Sequence, residues 1–191
     1  MAASGDLTTI AEVKTALQIT TGVDDDYLTS LIARVSEFIE HYCDREFTAQ
    51  DIEEIFDGTG TQTYVVQQYP INSITALSRR TTGLNEDDWD SIDATLYFNK
   101  ANSGQIIYIN TFNNNTLGYK LEYNAGYTTI PTDLEQAAID LIAYYYNNRK
   151  SKDKESESIG DYSVTYSKTK DVMSDLGLDT ILDAYKDFRQ G

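Results

Sequence analysis

Apolar residues recur at helical steps in several stretches of the chain. Near the start, Ile10, Val13, Ala16 and Leu17 follow Thr9, and Thr9 with Glu12 has the spacing of a capping box. This predicts a short first helix. Gly22 and the run Asp24-Asp25-Asp26 break the chain and open a second helix, whose N-terminal dipole end favours acidic residues. There Leu28, Leu31, Ile32, Val35, Phe38, Ile39, Tyr42 and Cys43 keep to one stripe, with Arg34, Glu37, Glu40 and His41 on other faces. Cys43 therefore reads as core. His41 lies two residues away and does not face it, which speaks against a Cys–His catalytic pair. Ile130-Pro131-Thr132-Asp133 is a helix start signal with a Thr/Asp cap, and a third helix is predicted from there to about Asn148. Leu134, Ala137, Ala138, Leu141, Ile142 and Tyr145 form its main face, with Tyr144 and Tyr146 each about 100° to either side and Ile139 beside Tyr146. That band is too wide for a helix packed on one side, so the helix is either central or meets another chain.

Between Ile52 and Tyr127 the period changes to two. Phe56 to Gly60 reads as a turn, and Tyr64 to Val66 and Ile71 to Leu77 as strands on either side of Tyr69-Pro70. Gln105 to Ile109 is a strand apolar on both faces and expected to be covered on both. Tyr119, Leu121 and Tyr123 alternate with Lys120, Glu122 and Asn124, a strand with one wet face. Asn110 to Gly118 reads as a hairpin loop between those two strands, and Asn85 to Ser91 as an acidic loop. Asn147 to Asp161 is polar without an apolar period and is expected to be a mobile loop. Tyr162, Val164 and Tyr166 then alternate as a short strand. Gly177 precedes a final helix with Leu178, Ile181, Leu182, Tyr185 and Phe188 on its apolar face.

The fold class is therefore α+β. It is a helical bundle made of the N-terminal helices, the long third helix and the C-terminal helix, with an inserted antiparallel β-rich region. One domain is expected over 1–191: helical to 50, β-rich over 51–130, helical over 131–150, an arm over 151–170 and a helix over 171–191.

Composition narrows the functions. Hydrophobic residues make up 40 % of the chain, enough for a core and too many for wholesale disorder. No apolar run has the length of a membrane span, and the N-terminus lacks a signal-peptide pattern. One cysteine allows no internal disulfide and no cysteine-based zinc site, and one histidine leaves little room for triad chemistry. With 15 basic against 31 acidic residues, the net charge of −16 opposes a surface built to grip DNA phosphates. A like-charged wall would instead keep a passing duplex from sticking. The 15 tyrosines against 6 phenylalanines suit either wet interfaces or strands.

No catalytic, metal or cofactor site emerges. Asn85 to Asp90 has oxygen ligands but lacks the glycine and distal glutamate of a calcium loop, and Asp24 to Asp26 reads as a helix start. Gly58-Thr59-Gly60 is too short for a phosphate loop. A glycosidase-like carboxylate pair has no particular candidates among so many acids. The stretch Tyr162, Val164 and Tyr166 fits a strand that adds to a neighbour's sheet edge; the alternative is a strand that closes its own subunit, or a linker.

Several stretches in order resemble the head–tail connector (adaptor) proteins of tailed bacteriophages. These are Leu7 to Phe47, with Asp24-Asp25-Asp26-Tyr27-Leu28 and Tyr42-Cys43-Asp44-Arg45, and then Tyr69-Pro70-Ile71-Asn72-Ser73-Ile74. Next come Tyr123-Asn124-Ala125-Gly126-Tyr127 with Ile130-Pro131-Thr132-Asp133-Leu134, and Tyr144-Tyr145-Tyr146-Asn147-Asn148-Arg149. Ile159-Gly160-Asp161-Tyr162-Ser163-Val164-Thr165-Tyr166 and Ile181-Leu182-Asp183-Ala184-Tyr185-Lys186 close the set, with Ala184 where the family usually has proline. The stretch Asn85 to Asn102 is longer and more acidic than the family pattern. The resemblance implies a non-enzymatic virion protein of the neck, present in host cytoplasm during assembly. It implies a dodecameric ring of this chain below the portal protein, a downstream neck or tail partner, and viral DNA passing through the lumen. It requires no cofactor and no membrane. Tyr144, Tyr146, Tyr162, Val164 and Tyr166 are the expected contacts between subunits, and Tyr185, Phe188 and Arg189 the expected portal contacts. Two alternatives stay open at this point: a stopper or tail terminator ring, and an acidic hydrolase using a carboxylate pair.

Overall fold

A computed structural model describes residues 5–81, 89–149, 156–159, 162–165 and 169–186, the stretches 156–159, 162–165 and 169–171 as backbone. The described residues form five α-helices and antiparallel sheets, an α+β fold, and the chain divides into two compact units. Residues Met1–Phe47 and Ile130–Gly191 make the first, and Thr48–Thr129 the second.

In the first unit, α1 (Ile10–Leu17) starts at Thr9, whose hydroxyl accepts from the Glu12 amide as its spacing predicts. It buries Val13 alone, whereas Ala16 is exposed. The helix is too short to present a full stripe. Helix α2 (Asp25–Cys43) follows the predicted stripe: Leu28, Leu31, Ile32, Val35, Ile39 and Cys43 are buried. Phe38 and Tyr42, at its edge, are half-buried and stack with ring centroids 6.5 Å apart. Asp44 ends the helix in the left-handed region (φ 53°), a conformation that its short polar side chain tolerates. Arg45 then lies over the Phe47 ring at 5.2 Å, which gives the Tyr42-Cys43-Asp44-Arg45 run its local role.

Helix α3 (Thr132–Asn147) is the centre of this unit and packs against α1, α2 and the C-terminal α5 (Leu178–Asp183). That accounts for the wide apolar band: Leu134, Ala137, Ala138, Leu141 and Ile142 are sealed from solvent, and Ile139 and Tyr146 nearly so. Each buried leucine and isoleucine among them contributes roughly 1.5–3 kcal/mol by leaving water. The expected Thr/Asp cap is not used: Pro131 takes the N-cap position, and the Asp133 carboxylate accepts from the Leu134 amide. The expected final helix after Gly177, which has φ 67°, is α5, and a further short helix, α4 (Thr169–Asp175), precedes that glycine. The expected loop Asn147 to Asp161 also contains a strand. Strand β8 (Ser156–Ile159) pairs antiparallel with β9 (Tyr162–Thr165), an element whose polar sequence hides it from a hydrophobicity reading.

The second unit holds a four-stranded sheet, ordered β1-β7-β3-β4, and a three-stranded one, ordered β2-β6-β5. The strands are β1 (Gln50–Gly58), β2 (Thr63–Val65), β3 (Ile71–Arg80), β4 (Trp89–Ser91), β5 (Tyr97–Lys100), β6 (Gln105–Tyr108) and β7 (Asn115–Ala125). A cis peptide bond joins Tyr69 and Pro70 ahead of β3. Four expectations are corrected here. Phe56 to Gly58 is strand rather than turn, because Phe56 pairs with Tyr119 and, past a bulge, Gly58 pairs with Asn115. Asn110 to Gly118 is not a hairpin loop, since β6 and β7 belong to different sheets and the segment crosses between them. Trp89 to Ser91 is a strand rather than loop; Trp89 pairs with Arg80, whose guanidinium lies 4.2 Å above the indole. Strand β6 is not sealed on both faces: Ile106 and Tyr108 are buried, whereas Ile107 is half-buried. The wet-faced strand is as expected, with Tyr119, Leu121 and Tyr123 inside.

Two glycines are dictated by close approach. A Cβ on Gly58 would sit 1.8 Å from the Asn113 carbonyl oxygen. Gly126 has φ +109° and would press a Cβ 2.4 Å from the Thr48 oxygen. The Ala125-Gly126-Tyr127 run is thus a backbone requirement.

Candidate functional site

Four places concentrate polar chemistry or unmatched surface. The first joins the start of α2 to the end of α3. The Tyr146 hydroxyl donates to the Asp24 carboxylate, Arg149 reaches the same carboxylate at 3.5 Å, and its guanidinium lies 3.8 Å over the Tyr146 ring. Asp24 sits at a positive helix end and Arg149 at a negative one, so both charges suit their places. The hydrogen bond to Asp24, and then burial, hold the Tyr146 phenol above its usual pKa. The structure thus takes Tyr146 up inside its own chain, with the Tyr27 ring 6.3 Å away. Tyr144 is half-buried, its ring meeting Tyr145 edge-on at 5.7 Å.

The second place fastens the C-terminal helix. Tyr185 donates to Asp133 at 2.7 Å and meets the Phe47 ring edge-on at 5.9 Å. Tyr42 donates to Asp183 at 2.9 Å, and Lys186 bonds the same carboxylate at 2.7 Å while lying 3.9 Å over the Tyr42 ring. Lys186 first, and Tyr42 second, keep the Asp183 carboxyl below its usual range. Tyr185 therefore has its hydroxyl engaged within the chain. Phe188, Arg189 and Tyr166 lie outside the described residues. Tyr162 and Val164 fall in β9, described as backbone.

The third place is a polar knot that periodicity did not reveal. Glu54, on the inner face of β1, is only 6 % exposed. Its carboxylate accepts from the Tyr64 hydroxyl at 2.8 Å, the Gln67 amide at 2.9 Å and the Tyr123 hydroxyl. Burial first, and the Glu54 charge second, push the Tyr64 phenol far above its ordinary pKa. The one available signal was an acid at a core-parity position of a strand. Donors satisfy this carboxylate, as a buried charge requires, and among the described residues no second carboxylate bonds it. An open groove of about 340 Å³ elsewhere in the β unit has Arg79, Arg80, Asp90, Asn113 and Tyr119 among its walls; its carboxylate, Asp90, is 3.8 Å from Arg79. Among the described residues no three His, Cys, Asp or Glu side chains come together to hold a metal ion.

The fourth place is the outside of the β unit. Phe98 is 58 % and Ile109 63 % exposed, with Val65 and Ile55 also uncovered. Strand β1 is an edge strand, and Asp51, Glu53, Ile55 and Asp57 face solvent along it.

Residues 6–188 match the head completion protein family. The chain belongs to that family. Head completion proteins are structural components of the virion, not enzymes. Among solved structures, the chain is similar to one from the neck of an empty gene transfer agent particle, computed with C6 symmetry. The TM-score is 0.65 and the identity 16 %, covering 99 % of this chain and 94 % of that one. It is also similar to a chain from the neck of a native particle computed with C12 symmetry (TM-score 0.62, 16 % identity, 99 % and 93 % covered). A third similarity is to a chain from the virion of a native gene transfer agent (TM-score 0.58, 16 % identity, 99 % and 94 % covered). No curated protein matches. At this identity the likeness establishes the fold shared by this head completion protein and those chains. No helix among the described residues is long and apolar enough to cross a membrane.

Proposed function

We propose that this head completion protein is a head–tail connector of the adaptor type. It forms a ring beneath the portal protein, joins the capsid to a downstream neck or tail protein, and lets DNA pass through its lumen. The observation that carries this reading is the family match over residues 6–188, on a fold that follows neck chains along 99 % of its length. A dodecamer is the stoichiometry favoured, because one of those necks was computed with C12 symmetry. The net charge of −16 suits a conduit that DNA slides through without binding.

In this reading Tyr144 and the segment with Tyr162, Val164 and Tyr166 meet neighbouring copies, and the end with Tyr185, Phe188 and Arg189 meets the portal. Tyr146 keeps a structural role through Asp24 and Arg149. Electron microscopy and mass measurement of the protein incubated with its portal test the proposal. The expected result is a ring stacked on the portal. A monomer that never binds portal overturns it, and density at the far end of the tail would instead favour a terminator.

A further inference from the structure

We infer that the outer face of the three-stranded sheet, with Val65, Phe98, Ile107 and Ile109, receives the neighbouring copy in the ring, which presents the rim of its own β1 around Ile55, Asp57 and Leu117. This rests on the ring reading above and names the surfaces that make the contact.

Tyr64, Ile106 and Tyr108 line the inner side of the three-stranded sheet and join the core that the four-stranded sheet closes from the other side with Phe56, Leu77 and Leu121. The outer faces of the two sheets therefore look away from each other. An antiparallel sheet with one face in the core normally turns polar side chains outward. Here the outward positions include Val65 on β2, Phe98 on β5 and Ile107 on β6, with Ile109 just past its end. Phe98 stands opposite Ile107 in the ladder, and Phe98 and Ile109 are more than half exposed. A contiguous apolar face of this kind marks a place where another protein sits.

Charge selects the occupant. Residues 58–85 and 94–121 contain no Asp or Glu, so the remainder of the chain holds all 31 acids. Strands β2, β5 and β6 lie wholly within these two stretches, and their outward face carries a single charge, Lys100. Among the described residues Lys100 makes no ion pair. Two copies with a net charge of −16 repel each other wherever acids meet acids, and this face is free of them. The opposite side of the same unit offers the counterpart. Ile55 and Leu117 are each 44 % exposed there, and the Leu117 amide donates to Asp57 at 2.6 Å, which places Leu117 beside β1. Glu53 on this rim is held by Lys120, but Asp51 and Asp57 bond only neutral donors among the described residues and keep their charge. Each surface is thus apolar with charge of one sign left over, and the signs are opposite. The same face against itself would set Lys100 against Lys100 and close as a dimer. Different faces on opposite sides of one unit give the head-to-tail contact that rotation closes into a ring.

The test mixes light and heavy-isotope-labelled full-length protein, assembles rings on the portal, and joins adjacent carboxylates and lysines with a carbodiimide. Mass spectrometry is expected to find mixed-isotope peptides linking Lys100 to Asp57 or Asp51. In a second arm, Phe98→Glu is expected to lower the ring fraction about tenfold at fixed concentration, with circular dichroism checking that the variant is folded. Undiminished rings of folded Phe98→Glu protein, or links absent or confined to same-isotope peptides, overturn the contact and leave the ring reading intact. Lys100 linked to portal peptides assigns the face to that partner and likewise overturns the contact. Wild-type protein that forms no ring on the portal overturns both readings.

Discussion

The helical unit and the β unit bury their cores with different side chains, and the difference explains where the tyrosines go. Around α3 the sealed residues are aliphatic: Leu134, Leu141 and Ile142 are buried on α3, and Leu28, Leu31 and Ile32 on α2, which packs against it. Tyrosines stand at the rim of this unit, where Tyr42, Tyr146 and Tyr185 each donate to an aspartate. In the β unit aromatics share the core with aliphatics such as Ile71, Leu77, Ile106 and Leu121. Phe56 stacks on Tyr64 with centroids 3.5 Å apart, and Phe112 meets Tyr119 edge-on at 5.0 Å. Their hydroxyls are absorbed there by Glu54 and by the Asn113 amide, which donates to Tyr119 at 2.9 Å. A tyrosine-rich composition thus serves two purposes in one chain: filling in one unit and fastening in the other.

Substitutions separate the two modes. The largest loss is expected for Phe112→Ala, about 4 kcal/mol, with Leu141→Ala close behind at about 3 kcal/mol. Urea unfolding followed by near-ultraviolet circular dichroism for the first, and at helical wavelengths for the second, measures each. Equal insensitivity of both signals to Phe112→Ala would remove the aromatic core from the account. Glu54→Leu is expected to cost about 2 kcal/mol, because two phenols and the Gln67 amide lose their acceptor, and Glu54→Gln less. A more stable Glu54→Leu protein would show that the knot is a burden the β unit tolerates.

Alkaline pH acts on both units, with the same sign. Burial raises the Cys43 thiol from 9.0 to about 11, so its contribution is complete below pH 9.0 and is lost as pH climbs towards 11. Tyr64, raised from 10.0 chiefly by burial, follows the same rule above pH 10.0. Melting temperatures are expected to fall between pH 8.5 and 11, and Cys43→Ala to flatten the early part of that decline. The smallest effect expected is that of Thr9→Ala, about 1 kcal/mol, read from the same urea curves.

The helical unit was the more legible in sequence, for a physical reason. The α2 stripe and the α3 band are long repeats of one period, and Thr9 announces its cap by spacing alone. Short or polar elements escaped. Strand β4 is held by Trp89 over Arg80, and β8 by pairing with β9, so neither leaves a hydrophobic period to read. The crossing of Asn110 to Gly118 between sheets depends on which strands share a ladder, a non-local fact. Among the candidate contacts, Tyr146 and Tyr185 were singled out by position and type. What their hydroxyls bond to, Asp24 and Asp133, depended on helices brought together only by folding. Glu54 was hidden by its charge, since an acid at a buried strand position contradicts the alternation that identifies strands.

Cys43 has one more implication. Its sulfur is closed off from solvent and directed at the Leu182 carbonyl, 3.5 Å away, and it is the only cysteine in the chain. A reporter thiol introduced on β1 or beside the β8–β9 pair could therefore be tagged with a dye or spin probe while the native sulfur stays silent, so distances between copies in an assembled particle can be measured on an otherwise unaltered protein.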